Sequence, residues 1–209
     1  MVLSIILLAA GMVVPGVAAL FTAGAESQAY NVMAGLLAGA RAYAIQNATY
    51  AGVHVQLGDG SAGLANTCWA AVVALDPNDP NMFRLADGFS PQRMPGSVAM
   101  GELKDEFVSG NSYQNLADDQ IGDFTTFTVV FSPDGAIVGK VGDKQIVCAK
   151  VQDLWSDFDP DAEEGAAAVT IFDYDEFRAR TTAQERADYL NANGRFLPIN
   201  RYTGLPLER

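Results

Sequence analysis

Polar and apolar positions fall into three regimes along the chain. From Val2 to Phe21 only Ser4 is polar; the first ionisable side chain after that run is Glu26 and the first basic one is Arg41. An α-helix rises about 1.5 Å per residue, so roughly 20 apolar residues cross the hydrocarbon of a bilayer. The run is long enough, and it lacks the polar face that a core helix in a soluble domain keeps, so a membrane-resident helix is expected over residues 1–24. A secretory signal is the alternative. Ala23-Gly24-Ala25 would supply its cleavage site, but no basic residue precedes the apolar stretch. From Glu26 the period turns helical: Met33, Leu37, Ala40 and Ala44 recur with polar residues between them. The same helix is expected to continue, now amphipathic, to about Asn47. Pro15 lies in its apolar half, where a proline removes one hydrogen bond and bends the axis. Ala34, Gly35, Ala38, Gly39 and Ala40 leave room for another backbone, either a neighbouring subunit's or the chain's own sheet.

Beyond Gly52 the period becomes two. Val53, Val55 and Leu57 alternate with His54 and Gln56, which predicts a half-buried strand with His54 on its solvent face. "CWAAVVAL" continues the strand character, "DPNDPN" breaks it with turn residues, and short strands separated by Gly and Pro follow to Met100. The polar stretch from Gly101 to Gly122 reads as a long loop. In "FTVVFSPDGAIVGKV", two β-rich runs flank Ser132-Pro133-Asp134-Gly135. Pro presets φ and Gly accepts a positive one, which predicts an antiparallel hairpin. A third strand, "AVTIFDY", is followed by Thr182-Ala-Gln-Glu185, a capping box opening a helix over about 183–193 that Gly194 is placed to end. The tail is extended. Residues 25–209 thus read as one globular domain without a linker or repeat.

Charge narrows the partners. The 209 residues carry a net charge of -12 and are 49% hydrophobic, with a pI near 4.3 and a mean hydropathy of +0.10. Such an acidic chain is repelled by nucleic acid and anionic lipid, both polyanions. Six arginines against four acids after position 175 make that segment locally basic.

Candidate chemistry is sparse. One histidine and no nucleophile elbow, phosphate loop or zinc motif leave no catalytic constellation, so neither an enzyme nor a cofactor site is expected. Asp157, Asp159, Asp161 and Glu163 begin like a calcium loop, but Ala162 replaces the turn glycine and Ala168 the closing Glu; a solvated acidic loop is the better reading. Cys68 and Cys148 fit no metal spacing. Outside the cytoplasm they are a disulfide candidate, worth roughly 4 kcal/mol in the chain-entropy model; otherwise they are two buried thiols.

Taken together, these stretches resemble the type IV pilin and pseudopilin family. Ala40, Arg41, Ala44, Ile45 and Asn47 match an Ala-Arg-x-x-Ala-Ile-x-Asn stretch leading into the first strand, and Phe131, Pro133, Asp134 and Gly135 match a Phe-x-Pro-x-Gly turn near the last strands. Both are similar to the H-type minor pseudopilins of type II secretion and to FimT-type minor pilins; the ending "INRYTGLP" looks prepilin-like as well. The resemblance implies an α+β, pilin-like fold: a long N-terminal helix, half membrane-embedded and half amphipathic, packed on an antiparallel β-sheet. It implies a structural subunit in filament initiation or tip assembly for protein export. Such a subunit sits in the bacterial inner membrane as a single-pass protein, its domain in the periplasm or at the cell surface. Its partners would be other pseudopilins or pilins through the helix, with secreted cargo as a further one. The family's basic leader, the Gly before its cleavage point and its Phe-Thr-Leu-x-Glu start are not in this sequence, so Met1 is expected to be either an internal methionine, with an N-methylated Phe start upstream, or a true start that bypasses that processing. Two rival expectations are a DNA-binding minor pilin contacting DNA through Arg195 and Arg201, and an exported soluble domain cut after Ala25.

Overall fold

The computed structural model describes residues 2–58, 67–103, 108–109, 112–113, 121–138, 147–148, 168–200 and 203, with side chains from residue 24 onward except at 80–81, 108–109, 112, 122–123 and 147–148. In chain order the elements are α1 (Val2–Asn47), β1 (Ala51–Leu57), β2 (Cys68–Asp76), β3 (Asp79–Leu85), β4 (Gln92–Arg93), β5 (Val98–Glu102), β6 (Val108–Ser109), β7 (Ser112–Tyr113), α2 (Ile121–Thr125), β8 (Phe127–Phe131), β9 (Ile137–Val138), β10 (Val147–Cys148), β11 (Ala168–Asp173), α3 (Tyr174–Arg178), α4 (Ala183–Asn193) and β12 (Arg195–Pro198). This is an α+β architecture in which one long N-terminal helix packs on antiparallel sheets.

The larger sheet runs β10-β3-β2-β1-β8-β9, with β4 also on β2. Its pairings are antiparallel except β10 with β3. Alternation sorts its side chains. Ala51, Val53 and Val55 of β1, Ala70, Val72 and Ala74 of β2, and Phe127, Val129 and Phe131 of β8 point into one core with Ala29, Met33, Leu37, Ala40 and Ala44 of α1. The helical spacing read from the sequence is therefore the spacing of the buried stripe.

The strand "AVTIFD" does not extend the hairpin's sheet. It is the centre of a second, three-stranded sheet, β12-β11-β5. Val169 and Ile171 face the α1 core, while Phe172 on the opposite face joins Ala99, Tyr113, Phe124, Phe177 and Leu190 in an aromatic cluster beneath α2, α3 and α4. Strands β11 and β5 of that second sheet are thus buried on both faces. The stretch from 101 to 122, expected as a loop, contains the end of β5, the β6–β7 pair and the start of α2; two-residue strands are too short to show a period.

Two further expectations need correction. His54 does sit on the face away from α1, but that face is not solvent: His54 is 2% exposed and its Nδ1 lies 2.8 Å from Thr128 Oγ1. Cys68 is a buried free thiol, and the register does not bring the two cysteines together. Cys148 pairs with Phe83 and Phe83 with Leu75, seven positions along β2 from Cys68, or roughly 23 Å at about 3.3 Å per residue. A disulfide needs Cα atoms within about 7 Å.

Candidate interaction surface

The helix α1 exposes what it does not bury. Gly24, Gln28, Asn31, Gly35, Ala38, Ala42 and Ile45 are all exposed, at alternating steps of four and three. That period of 3.5 is the spacing of a helix–helix seam, where one straight stripe faces a partner. No residue from Ser27 to Ala40 is charged, although the chain as a whole is strongly acidic. Gly24 and Gly35 have open space where a Cβ would sit. The crowd of small residues therefore splits in two: Gly35 and Ala38 face outward, whereas Ala40 is buried and Gly39 is covered by the Phe89 ring, 3.1 Å from a built Cβ. Ile45, 44% exposed, ends the stripe and is the one exposed large hydrophobic residue among the described ones.

Each end of this surface is fastened to the sheets. At the far end, the Arg41 Nε donates to the Gly135 carbonyl at 3.1 Å. The end of α1 and the β8–β9 turn, joined by residues 94 apart in sequence, meet here. The turn itself is as its residues require. Gly135 has φ +84, its N–H donates to the Ser132 carbonyl at 2.8 Å, and Asp134 accepts from the Ser132 hydroxyl. That bond, with the Ala136 backbone, holds the Asp134 carboxyl below its usual range.

At the near end, the Arg195 guanidinium of β12 donates to Ser27 Oγ at 2.9 Å and lies 4.5 Å from the Tyr30 ring centroid, a cation–π geometry. Beside it, Glu26 has its pKa raised, first by burial, then by the Asp173 charge, with Arg195 opposing. Asp173 caps α3 through Glu176 N and accepts from Ser97 Oγ at 2.8 Å. Tyr189 donates to the Asp173 carbonyl at 3.3 Å; burial and then the charges of Asp173 and Glu26 push its phenol up to about 12. Sequence reasoning missed this cluster because its members come from α1, the residue before β5, β11, α4 and β12 with no shared motif.

Arg195 is exposed and its guanidinium also bonds α1 through Ser27; Arg201 lies outside the described residues, as do Asp157, Asp159, Asp161 and Glu163. Among the described residues no group of acids, cysteines and histidine is placed to hold a metal ion. The Cys68 thiol is pushed up to about 12 by burial, against a hydrogen bond from the Met100 backbone; a thiol held in that form is a poor nucleophile. Pro15 lies within α1, which runs through it without a break. Among the described residues no helix is long and apolar enough to cross a membrane; the side chains of residues 1–23, where that expectation falls, lie outside them.

The fold and this surface define the class: an α+β domain carried on a long helix whose outward face is uncharged, small and regularly spaced. No protein-family model, no curated protein and no solved structure matches the chain.

Proposed function

We propose that this chain is a structural subunit of the pilin and pseudopilin kind, a minor subunit that initiates or caps a type II secretion pseudopilus or a type IV pilus. In this reading its arrangement is pilin-like. The apolar half of α1 holds the subunit in the inner membrane before assembly, and the outward stripe from Gly24 to Ile45 packs against helices of other subunits. The observation that carries the reading is the stripe: an acidic domain that leaves seven heptad-spaced positions of its longest helix exposed, uncharged and mostly small, in line with a 20-residue apolar run. Small residues let helix backbones approach closely, and the absence of charge removes the penalty of desolvating one at the contact.

The test is Gly35→Lys in the full-length chain in its native host. Nothing lies within 4 Å of a Cβ built at Gly35 and lysine is the better helix former, so the variant should fold and be more stable than the wild type by about 0.5–1 kcal/mol. Its recovery in cross-linked or sheared filament complexes should be lost. Recovery equal to the wild type would reject α1 as the assembly surface.

A further inference from the structure

Among the described residues the charge of Arg41 is unanswered. Arg41 is the one basic residue of α1, it is half-buried, and its Nε bonds a neutral partner, the Gly135 carbonyl. Among the described residues no carboxylate pairs with it. Asp134, the acid in the turn that Arg41 grips, is held instead by the Ser132 hydroxyl and the Ala136 backbone. In a chain of net charge -12, a half-buried arginine left without a counter-ion is out of keeping with its surroundings.

Resting on the assembly reading above, we propose that Arg41 is a docking point for a carboxylate side chain of the neighbouring subunit. A guanidinium carries five donors in a rigid fork; with Nε fixed on a backbone carbonyl, the two Nη groups remain for bidentate capture of a carboxylate. The anchor also fixes the side chain beforehand, which lowers the entropy lost on binding. The position is held closely. A Cβ on Gly135 would stand 2.9 Å from Arg41 Nε and 2.8 Å from Ile45 Cδ1, so glycine lets the turn grip the helix without displacing either side chain. Around this fork, Ala38 and Ala42 offer small exposed side chains and Ile45 an exposed apolar one. An apolar contact beside a forked cation suits a helix or strand that presents an acid flanked by aliphatic groups. A subunit as acidic as this one has carboxylates to supply.

The experiment places a photo-cross-linker at Ala42 in the full-length chain in native membranes and compares wild type, Arg41→Gln and Arg41→Lys. Gln retains an N–H donor but loses the charge; Lys retains the charge but loses the fork. Wild type should give an adduct with another subunit, mapped by mass spectrometry to a peptide containing Asp or Glu, whose yield falls severalfold between about 0.05 and 0.5 M salt. Arg41→Gln should reduce the yield at least tenfold and Arg41→Lys less than that, with melting temperatures unchanged. Equal yield in Arg41→Gln, or a wild-type adduct insensitive to salt, overturns the proposal while leaving the assembly reading intact. No adduct in wild type, or adducts with phospholipid alone, overturns both. If Arg41→Gln melts early, the salt response of wild type and the yield of Arg41→Lys decide.

Discussion

Ala48 holds a left-handed backbone, φ 48, at the point where α1 ends. Thr49 N–H reaches the Ala44 carbonyl at 3.1 Å and Ala48 N–H the Ile45 carbonyl at 3.4 Å, the two bonds of a Schellman motif that ordinarily has glycine at this position. A Cβ in that conformation costs about 1 kcal/mol or more, part of which is offset because glycine is freer when unfolded. Ala48→Gly should therefore stabilise by about 0.5 kcal/mol or slightly more, read as a higher denaturant midpoint at unchanged slope. His54 makes a second prediction. Burial pushes its pKa down to about 4 from 6.5, partly offset by a hydrogen bond with Gln56. As pH falls through about 6.5 the unfolded chain takes up a proton that the folded one refuses until about 4, so stability drops across that window, by about 3 kcal/mol at most. Urea melts from pH 7 to pH 4 should show that loss, and His54→Asn, which can still bond Thr128, should flatten it relative to wild type. The strand period placed His54 on the correct face. That this face is buried was not legible, because a two-residue period separates faces without saying what covers either.

Elements whose chemistry is local were legible. The Ser132–Gly135 turn, the hairpin of β8 and β9, the capping box of α4 and the end of α1 near Asn47 each depend on a few adjacent residues, and each stands where those residues put it. Gly135→Ala tests the turn's second role as the grip for α1. It combines a positive φ with a Cβ pressed on Arg41 and Ile45 and should destabilise by about 1–3 kcal/mol, with loss of amide protection at the β8–β9 turn and in the last turn of α1. Gly194 shows the opposite case. It ends α4, as expected, but with φ -64, so no left-handed cap is formed. Glycine is needed because a Cβ would stand 2.5 Å from the Leu190 carbonyl oxygen and 2.9 Å from Thr170 Oγ1. Elements defined by distant pairing were not legible. β11 lies between β5, some 70 residues before it, and β12 after the helices, and nothing in "AVTIFD" says which sheet it joins.

At the scale of the molecule, α1 is the organising element. Its inner stripe is common to the cores of both sheets, its flanks are tied down by Arg41 at one end and Ser27 and Tyr30 at the other, and its outer stripe is left uncovered. The crowding of Gly and Ala was readable in the sequence; which of them face outward was not, since that depends on how Phe89 and the two sheets wrap the helix. As proposed above, the outer stripe is the assembly surface. The most direct test is a photo-cross-linker scan along positions 24–47 of the full-length chain in its native host. Inter-subunit yield should peak at Gly24, Gln28, Asn31, Gly35, Ala38, Ala42 and Ile45 and vanish at Ala29, Met33, Leu37, Ala40 and Ala44. A flat profile, or adducts confined to the chain's own residues, would contradict it.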